Sequence, residues 1–353
     1  MELRLEQFPG AEIAHYASKD VIVTTFAQHI RVRHQGQTQT FTLPVSSWER
    51  PLLPFRLLRR GARLDKCNVV PRFQDGRLVA LVAIRHGHVY RIEYPSGDMT
   101  ETLRLKRCRV TLHQSICETP DGDLYFGEYG ANKDRQSVPL YRSRDDGRSW
   151  EMIYEFPAGS IKHIHGCFWD PYEERVWVCT GDFENENVVM SADKDFKSVE
   201  KYGDGSQCWR TCAPIFLPDA VVWGMDSQLE TSHCCRFDRK TKTLEKLQPF
   251  PGPIWYVKQT TDGWYVTASS NEIGVGVLDD CAHIFASRDA LDWKPVYKSR
   301  KDRWSKRWLK FGVFGFADGP QSSQDFWMFA EALVGLDGRT FRCALVPDGT
   351  VTP

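Results

Sequence analysis

The stretch YRSRDDGRSW, residues 141–150, decides the fold of this chain. It is a polar turn in which four residues have a fixed spacing: Ser143, Asp145, Gly147 and Trp150. Related turns begin at Ser191 (SADKDF) and at Ser287 (SRDALDW). Ser191 lies 48 residues after the first serine, and Ser287 lies 96 residues, twice that interval, after Ser191. A unit of about 48 residues therefore repeats along the chain.

One repeat, residues 109–156, shows what the unit contains. Four short stretches rich in apolar residues, VTLHQSICETP, LYFGEYG, VPLYRSR and WEMIYEF, are separated by polar turns such as DGD and DDGRS. Such short alternating stretches predict β-strands, and the repeat has no pattern typical of a helix. Four-stranded antiparallel units at this period are the blades of a β-propeller. The sequence therefore predicts an all-β fold.

The number of blades follows from the positions of the innermost strands. These strands are expected to begin near residues 11, 65, 110, 163, 208, 254 and 312, which gives seven blades. Six blades is the alternative, if residues 1–60 form something else. We expect one domain over residues 1–353, in which strand 2–8 joins the last blade and closes the ring. Residues 46–64 form a long connection between blades.

Composition limits the classes of partner and the location. The 46 basic and 46 acidic residues balance, which argues against a nucleic-acid partner. No apolar run reaches the roughly 18 residues that span a membrane. The N-terminus lacks the pattern of a signal peptide, and the eleven cysteines are scattered and odd in number. We therefore expect a cytoplasmic protein with reduced thiols and no membrane span.

The turn at residues 141–150 resembles the Asp box of the sialidase-like, or BNR-repeat, propellers. The pattern Ser-x-Asp-x-Gly-x-x-Trp is complete there, and a version one residue shorter lies at Ser287, Asp289 and Trp293. The resemblance covers the repeat architecture of most of the chain and no catalytic set. It implies that the turns are structural, that the ligand is a carbohydrate, and that the active site lies at the opposite ends of the strands.

Polar and aromatic residues are concentrated at those opposite ends, where innermost strands begin and second strands end. The candidate catalytic residues are His113, Glu128, Tyr129, His165, Asp182, Arg210 and Asp226. The candidate substrate-binding residues are His163, Trp209, Trp255, Tyr256, Asn271 and Glu272. Polar groups that converge in an apolar-walled concavity are the usual mark of a site.

Three functions are compatible with this set. A glycoside hydrolase-like enzyme would use two of the carboxylates as acid and base or nucleophile. The first alternative is a lyase acting on uronic-acid sugars, with a histidine base, Tyr129 as acid, and Arg210 or a cation as the neutraliser. The second is a propeller that binds a glycan or a protein without catalysis. We expect no cofactor, although His163 and His165 point the same way along a strand and could share a divalent cation.

Overall fold

The computed structural model describes residues 1–347 and is almost entirely β-structure. Within this range, 28 strands form seven antiparallel sheets of four strands each. The fold is a seven-bladed β-propeller, which confirms the predicted fold class and the preferred blade number.

The strands follow one another in chain order. The chain begins with β1 (Glu2–Phe8), which belongs to the seventh sheet. The first sheet consists of β2 (Ile13–Ala17), β3 (Val21–Phe26), β4 (His29–His34) and β5 (Gln37–Thr42). The second sheet consists of β6 (Asn68–Gln74), β7 (Arg77–Arg85), β8 (His88–Glu93) and β9 (Met99–Arg104). The third consists of β10 (Cys117–Glu118), β11 (Leu124–Gly127), β12 (Val138–Ser143) and β13 (Glu151–Phe156).

The remaining four sheets repeat this order. The fourth consists of β14 (His163–Asp170), β15 (Arg175–Gly181), β16 (Asn187–Ala192) and β17 (Val199–Gly205). The fifth consists of β18 (Ile215–Phe216), β19 (Ala220–Gly224), β20 (His233–Asp238) and β21 (Leu244–Pro249). The sixth consists of β22 (Ile254–Gln259), β23 (Tyr265–Ser269), β24 (Cys281–Ser287) and β25 (Lys294–Arg300). The seventh contains β26 (Val313–Phe316), β27 (Phe326–Glu331) and β28 (Arg339–Val346).

The fourth strand of the seventh sheet comes from the other end of the chain. The order in this sheet is β1-β28-β27-β26, so β1 occupies the outer edge. The pairing is antiparallel and runs from Glu2 opposite Val346 to Phe8 opposite Thr340. Backbone hydrogen bonds therefore join the two ends of the described chain. Removal of β1 or β28 would leave the seventh sheet incomplete, with an unpaired edge.

The chain forms two compact units, each with its own core. Among the described residues, the first unit comprises 1–65, 228–232 and 248–347, and it contains the first, sixth and seventh sheets. The second unit comprises residues 66–227 and 233–247, and it contains the second, third and fourth sheets with most of the fifth.

Burial depends on the position of a strand within its sheet. All residues of β11 and β12 are buried, as are six of the seven in β15. In contrast, the outer strand β13 is largely exposed or half-buried. Inner strands are covered on both faces, whereas an outer strand borders solvent. The core of the second unit between the third and fourth sheets includes Leu140, Phe156 and Ile164.

The turn at residues 141–150 joins β12 to β13 and is held by its own side chains. Asp145 accepts hydrogen bonds from the Ser149 amide (2.9 Å) and from the Ser143 hydroxyl (2.8 Å). Gly147 has a φ of +81°, a conformation that favours glycine. The Trp150 indole donates a hydrogen bond to Thr102 of β9, at 3.1 Å. The turn therefore joins the third sheet to the second.

Two innermost strands begin later than the sequence predicts. β10 begins at Cys117 and β18 at Ile215, rather than near residues 110 and 208. Before β10, the Asn68 side-chain amide donates hydrogen bonds to the main-chain oxygens of Thr111 and Leu112, so these oxygens have a partner outside a strand ladder. Before β18, a short 3₁₀ turn (Gln207–Trp209) inserts Trp209 into the core.

The long connection at residues 46–64 contains a 3₁₀ turn (Arg50–Leu52) and α1 (Arg56–Ala62). Arg59 and Arg60 of α1 are buried, whereas Leu58 is exposed. The helix α1 thus buries charged residues and exposes an apolar one, the reverse of the usual amphipathic pattern. The buried arginines therefore need carboxylates as partners. Among residues 1–347, no helix has the length and apolar character needed to cross a membrane.

Candidate functional site

Five polar residues predicted from sequence converge in the second unit, and together they are called the His–Asp cluster: His163, His165, Asp182, Arg210 and Asp226. The two histidines lie at the start of β14 and Asp182 directly follows β15. Arg210 lies before β18 and Asp226 follows β19. These are the strand ends opposite the turn that joins β12 to β13. The cluster therefore assembles from the fourth and fifth sheets.

Local backbone irregularities position the histidines and the carboxylate. His163 pairs with Gly181 and Ile164 with Thr180, but the next pair is Gly166 with Cys179, so His165 is the extra residue of a β-bulge. Bulges re-aim side chains and are common beside active sites. Gly181 has a φ of +149°, and a Cβ there would lie 2.3 Å from the Asn187 amide oxygen. A glycine is therefore required just before Asp182.

Both imidazoles bridge a backbone carbonyl and the same carboxylate oxygen. His163 Nδ1 lies 2.7 Å from the Gly130 carbonyl oxygen, and its Nε2 lies 3.3 Å from Asp182 Oδ1. His165 Nδ1 lies 3.0 Å from the Thr211 carbonyl oxygen, and its Nε2 lies 3.2 Å from Asp182 Oδ1. The two rings are 5.1 Å apart between centroids. Asp182 Oδ1 is thus the centre of the cluster.

Two cations complete the surroundings of Asp182. Arg210 Nη2 lies 3.1 Å from Asp182 Oδ1, and Arg210 Nε donates a hydrogen bond to Asp226 Oδ2 at 3.2 Å. The Lys162 ammonium donates to Asp182 Oδ2. The Cys212 thiol donates to Asp226 Oδ2 at 3.2 Å. The two carboxylates are therefore matched by two fixed positive charges.

Burial and charge shift the protonation of this cluster. Burial favours the neutral acid of Asp182, but hydrogen bonds and charge from the two imidazoles outweigh it and hold the pKa well below its usual range. Burial also lowers the pKa of His163, although Asp182 opposes this change. Burial raises the pKa of the Cys212 thiol, and the nearby Asp226 charge adds to this effect. Asp182 is therefore ionised and Cys212 is a neutral thiol at neutral pH.

One side of the cluster is open. His163, His165, Arg210 and Asp226 are at most 4% exposed, whereas the side chains of Asp182 and Lys162 are 15% and 19% exposed. Phe183 is exposed beside them, and its ring lies 5.4 Å from the Lys162 ammonium. A ligand that reaches the cluster therefore meets Lys162, Asp182 and the Phe183 ring first.

Tyr129 and Glu128 are neighbours in sequence but have different environments. The half-buried Tyr129 ring lies 4.2 Å from the His163 ring and 6.1 Å from the His165 ring, between centroids. Tyr129 is therefore part of the site. Glu128 instead accepts hydrogen bonds from the amides of Lys106 and Arg107, both at 2.9 Å, and from the Tyr141 hydroxyl. These three donors make Glu128 an anchor of the loop before β10.

Two other predicted residues of the second unit lie outside the His–Asp cluster. Trp209 is buried against Trp223 and Phe237, with ring centroids 5.7 and 5.5 Å away, so a substrate-stacking role for it has no support. The cause is the 3₁₀ turn that replaces the expected strand start. His113 is half-buried in the loop before β10.

The remaining predicted residues belong to the first unit. Trp255 packs edge-to-face against Phe311 and Tyr256, and Tyr256 is buried. Asn271 is fully buried and fixes a loop, because its side-chain oxygen accepts the Gly312 amide at 2.7 Å. Glu272 is buried beside it in sequence. Trp255, Tyr256 and Asn271 therefore have structural contacts of their own.

Sequence reasoning missed Lys162 and Phe183 as parts of the site. Lys162 directly precedes the His-x-His pattern, in KHIH, and Phe183 directly follows Asp182. Both are next to predicted residues, so inspection of immediate neighbours would have found them. Cys212 was missed because buried cysteines are common without a role in a site.

Among residues 1–347, three groups of side chains have ligand atoms close enough together to hold a metal ion. His163, His165 and Asp182 form the first, and His165, Cys212 and Asp226 form the second. The third is Asp279, Cys281 and His283, which lies nearer the surface in the first unit. In each group the ligand atoms lie within 4.8 Å of one another.

A large cavity lies elsewhere, in the first unit. It has a volume of about 750 Å³ and is open to solvent between the β2–β3 turn and the edge of the seventh sheet. Its charged walls include Arg342 and Asp325, which bind each other through two hydrogen bonds at 2.6 and 2.7 Å. The convergence of titratable groups, rather than cavity size, therefore identifies the candidate site.

Comparison with known proteins supports the fold alone. No family model and no curated protein matches the sequence. A solved structure similar to this chain is the extracellular domain of a candidate one-component system from B. thetaiotaomicron, with a TM-score of 0.58 and 10% identity. The match covers 99% of this chain, which spans 40% of that one.

Two further solved structures are similar over nearly the whole chain. One is a chain of a mitotic checkpoint complex, with a TM-score of 0.55, 11% identity, and coverage of 98% of this chain and 94% of that one. The other is U3-55K, with a TM-score of 0.55, 11% identity, and coverage of 98% of both chains. At these identities the matches establish a shared propeller fold and no shared activity.

Proposed function

We propose that this chain is a carbohydrate-active enzyme and that the His–Asp cluster cleaves uronic-acid-containing glycans by elimination. The observation that best supports this proposal is the set of groups around Asp182. Its carboxylate contacts Lys162, Arg210 and two imidazoles. Such a site has cations and imidazoles in place of a protonated carboxylic acid. It suits a substrate that is itself a carboxylate.

The same geometry is less suited to the hydrolase that the carboxylates first suggested. Glycoside hydrolysis needs one carboxylic acid to protonate the leaving oxygen, and such a group has a raised pKa. The pKa of Asp182 is instead lowered, because hydrogen bonds and charge from the imidazoles outweigh its burial. Glu128 is engaged by two amides and a hydroxyl, and Asp226 is engaged by Arg210 and a thiol.

An elimination reaction would use four residues in or beside the cluster: Lys162, Arg210, Tyr129 and Phe183. Lys162, supported by Arg210, neutralises the uronate carboxylate, which makes the proton on the adjacent carbon more acidic. Tyr129 acts as its phenolate: it takes this proton from C5 to become the neutral phenol, and then passes the proton to the departing glycosidic oxygen, which restores the phenolate. The C5–H and C4–O bonds break, a C4=C5 double bond and an O–H bond form, and no water is consumed. The exposed Phe183 ring offers a face on which a sugar can stack.

The resemblance of the Ser143–Trp150 turn to an Asp box also favours a carbohydrate ligand, because the cluster occupies the opposite ends of the strands. A propeller that binds a glycan or a protein without turnover is the main competing function. It predicts binding that needs Lys162 and Phe183 but leaves the ligand intact.

The test is mass spectrometry of products after incubation with neutral, uronic and sialic oligosaccharides. We expect cleavage of uronic substrates only, with products that lack added water and carry an unsaturated end. Tyr129→Phe should lower the rate by about 100-fold or more, since general acid–base groups contribute about 10²–10⁴. The matched control is Tyr172→Phe, which alters an exposed tyrosine after β14. Products with added water, or binding without cleavage, would overturn the proposal.

A further inference from the structure

The two histidine Nε2 atoms and the Asp182 Oδ1 atom form a set of ligands for a metal ion. We propose that His163, His165 and Asp182 bind one divalent transition-metal cation of the zinc type. The inference concerns the same cluster as the proposed function and its catalytic meaning rests on that function, but cation binding is testable without any sugar.

The hydrogen bonds of the rings select the ligand atoms. Each Nδ1 faces a backbone carbonyl oxygen, that of Gly130 for His163 and that of Thr211 for His165. A carbonyl oxygen only accepts, so each Nδ1 must have the hydrogen. Both Nε2 atoms face Asp182 Oδ1. A cation would replace the hydrogen with which each Nε2 contacts this oxygen, and the Nε2 lone pairs would then bind the cation. Metal-binding histidines typically donate their other ring N–H to a carbonyl or carboxylate in this way.

The spacing of these atoms matches a coordination sphere. Asp182 Oδ1 lies 3.3 Å from His163 Nε2 and 3.2 Å from His165 Nε2. Ligands bound tetrahedrally to zinc at about 2.0–2.1 Å are separated from each other by about 3.3 Å. Two of the three separations therefore already match this geometry, and all three ligand atoms lie within 4.8 Å of one another.

Asp182 keeps a lone pair for the cation despite its other partners. Arg210 donates to Oδ1, and Lys162 donates to Oδ2. A carboxylate oxygen accepts at two positions, so Oδ1 can bind Arg210 and the metal together. The two cationic side chains then orient the carboxylate from outside the coordination sphere, as outer partners do in known metal sites.

The ligand types define the class of metal. Two imidazoles and one carboxylate favour zinc and neighbouring transition metals over Mg²⁺ and Ca²⁺, which prefer oxygen ligands. Three protein ligands leave the fourth position open, and the open side of the cluster lies at Asp182 and Lys162. A metal there would add two positive charges to a cluster whose fixed charges balance. It would therefore attract an anionic sugar more strongly.

The first experiment is isothermal titration of chelator-stripped protein with Zn²⁺, followed by Co²⁺ titration read by visible absorption. We expect one ion per chain at the cluster and a tetrahedral Co²⁺ spectrum. His163→Gln and His165→Gln should each weaken binding by more than the roughly 10–100-fold seen when outer partners are removed. Circular dichroism establishes that each variant is folded, and the wild-type Co²⁺ spectrum remains informative if one is not.

The matched control is His283→Gln, since Asp279, Cys281 and His283 form another candidate group in the first unit. This variant should keep the ion and its affinity. Binding lost in His283→Gln, retained in both β14 variants, or undetectable in the wild type would overturn the inference. If elimination continues after chelation, with no Zn²⁺ bound, the cation has no part in catalysis and the proposed function stands. If Zn²⁺ binds but no sugar is cleaved, the metal site stands and the proposed function is wrong.

Discussion

Each unit contains a buried polar cluster, and the two clusters are built differently. The cluster of the first unit, called the ion-pair cluster, surrounds α1. Its cations are Arg56, Arg59, Arg60, Lys301 and Lys310. Its carboxylates are Glu12, Asp65, Asp302, Glu331 and Asp337. Positive and negative charges are equal in number, and every cation is in contact with a carboxylate.

The ion-pair cluster connects segments that are distant in sequence. Arg56 binds Asp65 at 2.8 Å and Asp337 at 3.0 Å, and Lys310 binds both Asp65 and Glu331. Burial opposes the charge of Arg56, but Asp65, Glu12 and Asp337 outweigh it and raise the pKa of its guanidinium. The network contains no imidazole and pairs every cation with a carboxylate, which is typical of a structural role.

The His–Asp cluster shares burial with the ion-pair cluster but differs in chemistry. Two of its members are imidazoles whose Nε2 atoms face a carboxylate oxygen, and one side reaches solvent. Imidazoles change protonation near neutral pH and bind metals. Burial alone therefore does not identify a site, whereas groups able to exchange a proton or bind a metal do.

The largest expected effect is a loss of stability when the ion-pair cluster is broken. Lys310→Met leaves the buried carboxylates of Asp65 and Glu331 without this cation, and breaking such a pair costs about 3–5 kcal/mol. Urea unfolding of metal-free protein measures the free energy of unfolding. Lys298→Met, which alters an exposed lysine of β25, should change it by less than about 0.5 kcal/mol. A loss below about 1 kcal/mol for Lys310→Met would contradict a stabilising role.

A third kind of buried charge, Lys258, gives a pH-dependent effect. Its ammonium donates to the main-chain oxygens of Ala317 (2.9 Å) and Gly319 (2.6 Å). Burial lowers the pKa of Lys258 to about 8, although Asp318 opposes the shift. The unfolded chain, with a pKa near 10.5, holds the proton more tightly than the folded protein. Stability should therefore increase as the pH rises from about 8 to about 10.5.

The size of this increase follows from the pKa difference. A shift of about 2.5 pKa units corresponds to about 3 kcal/mol over the whole window. The quantity to measure is the unfolding free energy of wild type minus that of Lys258→Met, at pH 7 and at pH 10, because the subtraction removes other titrations. We expect this difference to rise with pH. A flat difference would mean that the folded protein holds the Lys258 proton as tightly as the unfolded chain does.

The repeating turn was sufficient to predict the seven sheets, since a fixed interval gives both the period and the strand count. The starts of β10 and β18 could not be predicted in this way. There, hydrogen bonds from the Asn68 side chain and a 3₁₀ turn (Gln207–Trp209) take the place of strand pairing, and neither alters the apolar pattern of the sequence. Long-range ion pairs were also beyond prediction, because Lys310 and Asp65 are 245 residues apart.

The His–Asp cluster was more predictable because its members occupy equivalent positions in successive sheets. A rule based on strand starts and ends selects His163, His165 and Asp182, and the structure brings these side chains together. The same rule selects Trp255 and Asn271, whose contacts are structural. The position of a residue along its strand thus indicates at which end of the sheet it lies. The contacts of its side chain decide whether it belongs to a site.

The smallest expected effect separates the two clusters most directly. In metal-free protein, Asp182→Asn should lower the free energy of unfolding by about 1–2 kcal/mol, because the asparagine keeps a side-chain oxygen that accepts hydrogen bonds and loses only the charge of the carboxylate. Arg210 keeps Asp226 at 3.2 Å, and Lys162 has access to water. Glu184→Gln, an exposed change two residues away, provides the control. A loss equal to that of Lys310→Met would mean that the His–Asp cluster supports the fold as strongly as the ion-pair cluster does.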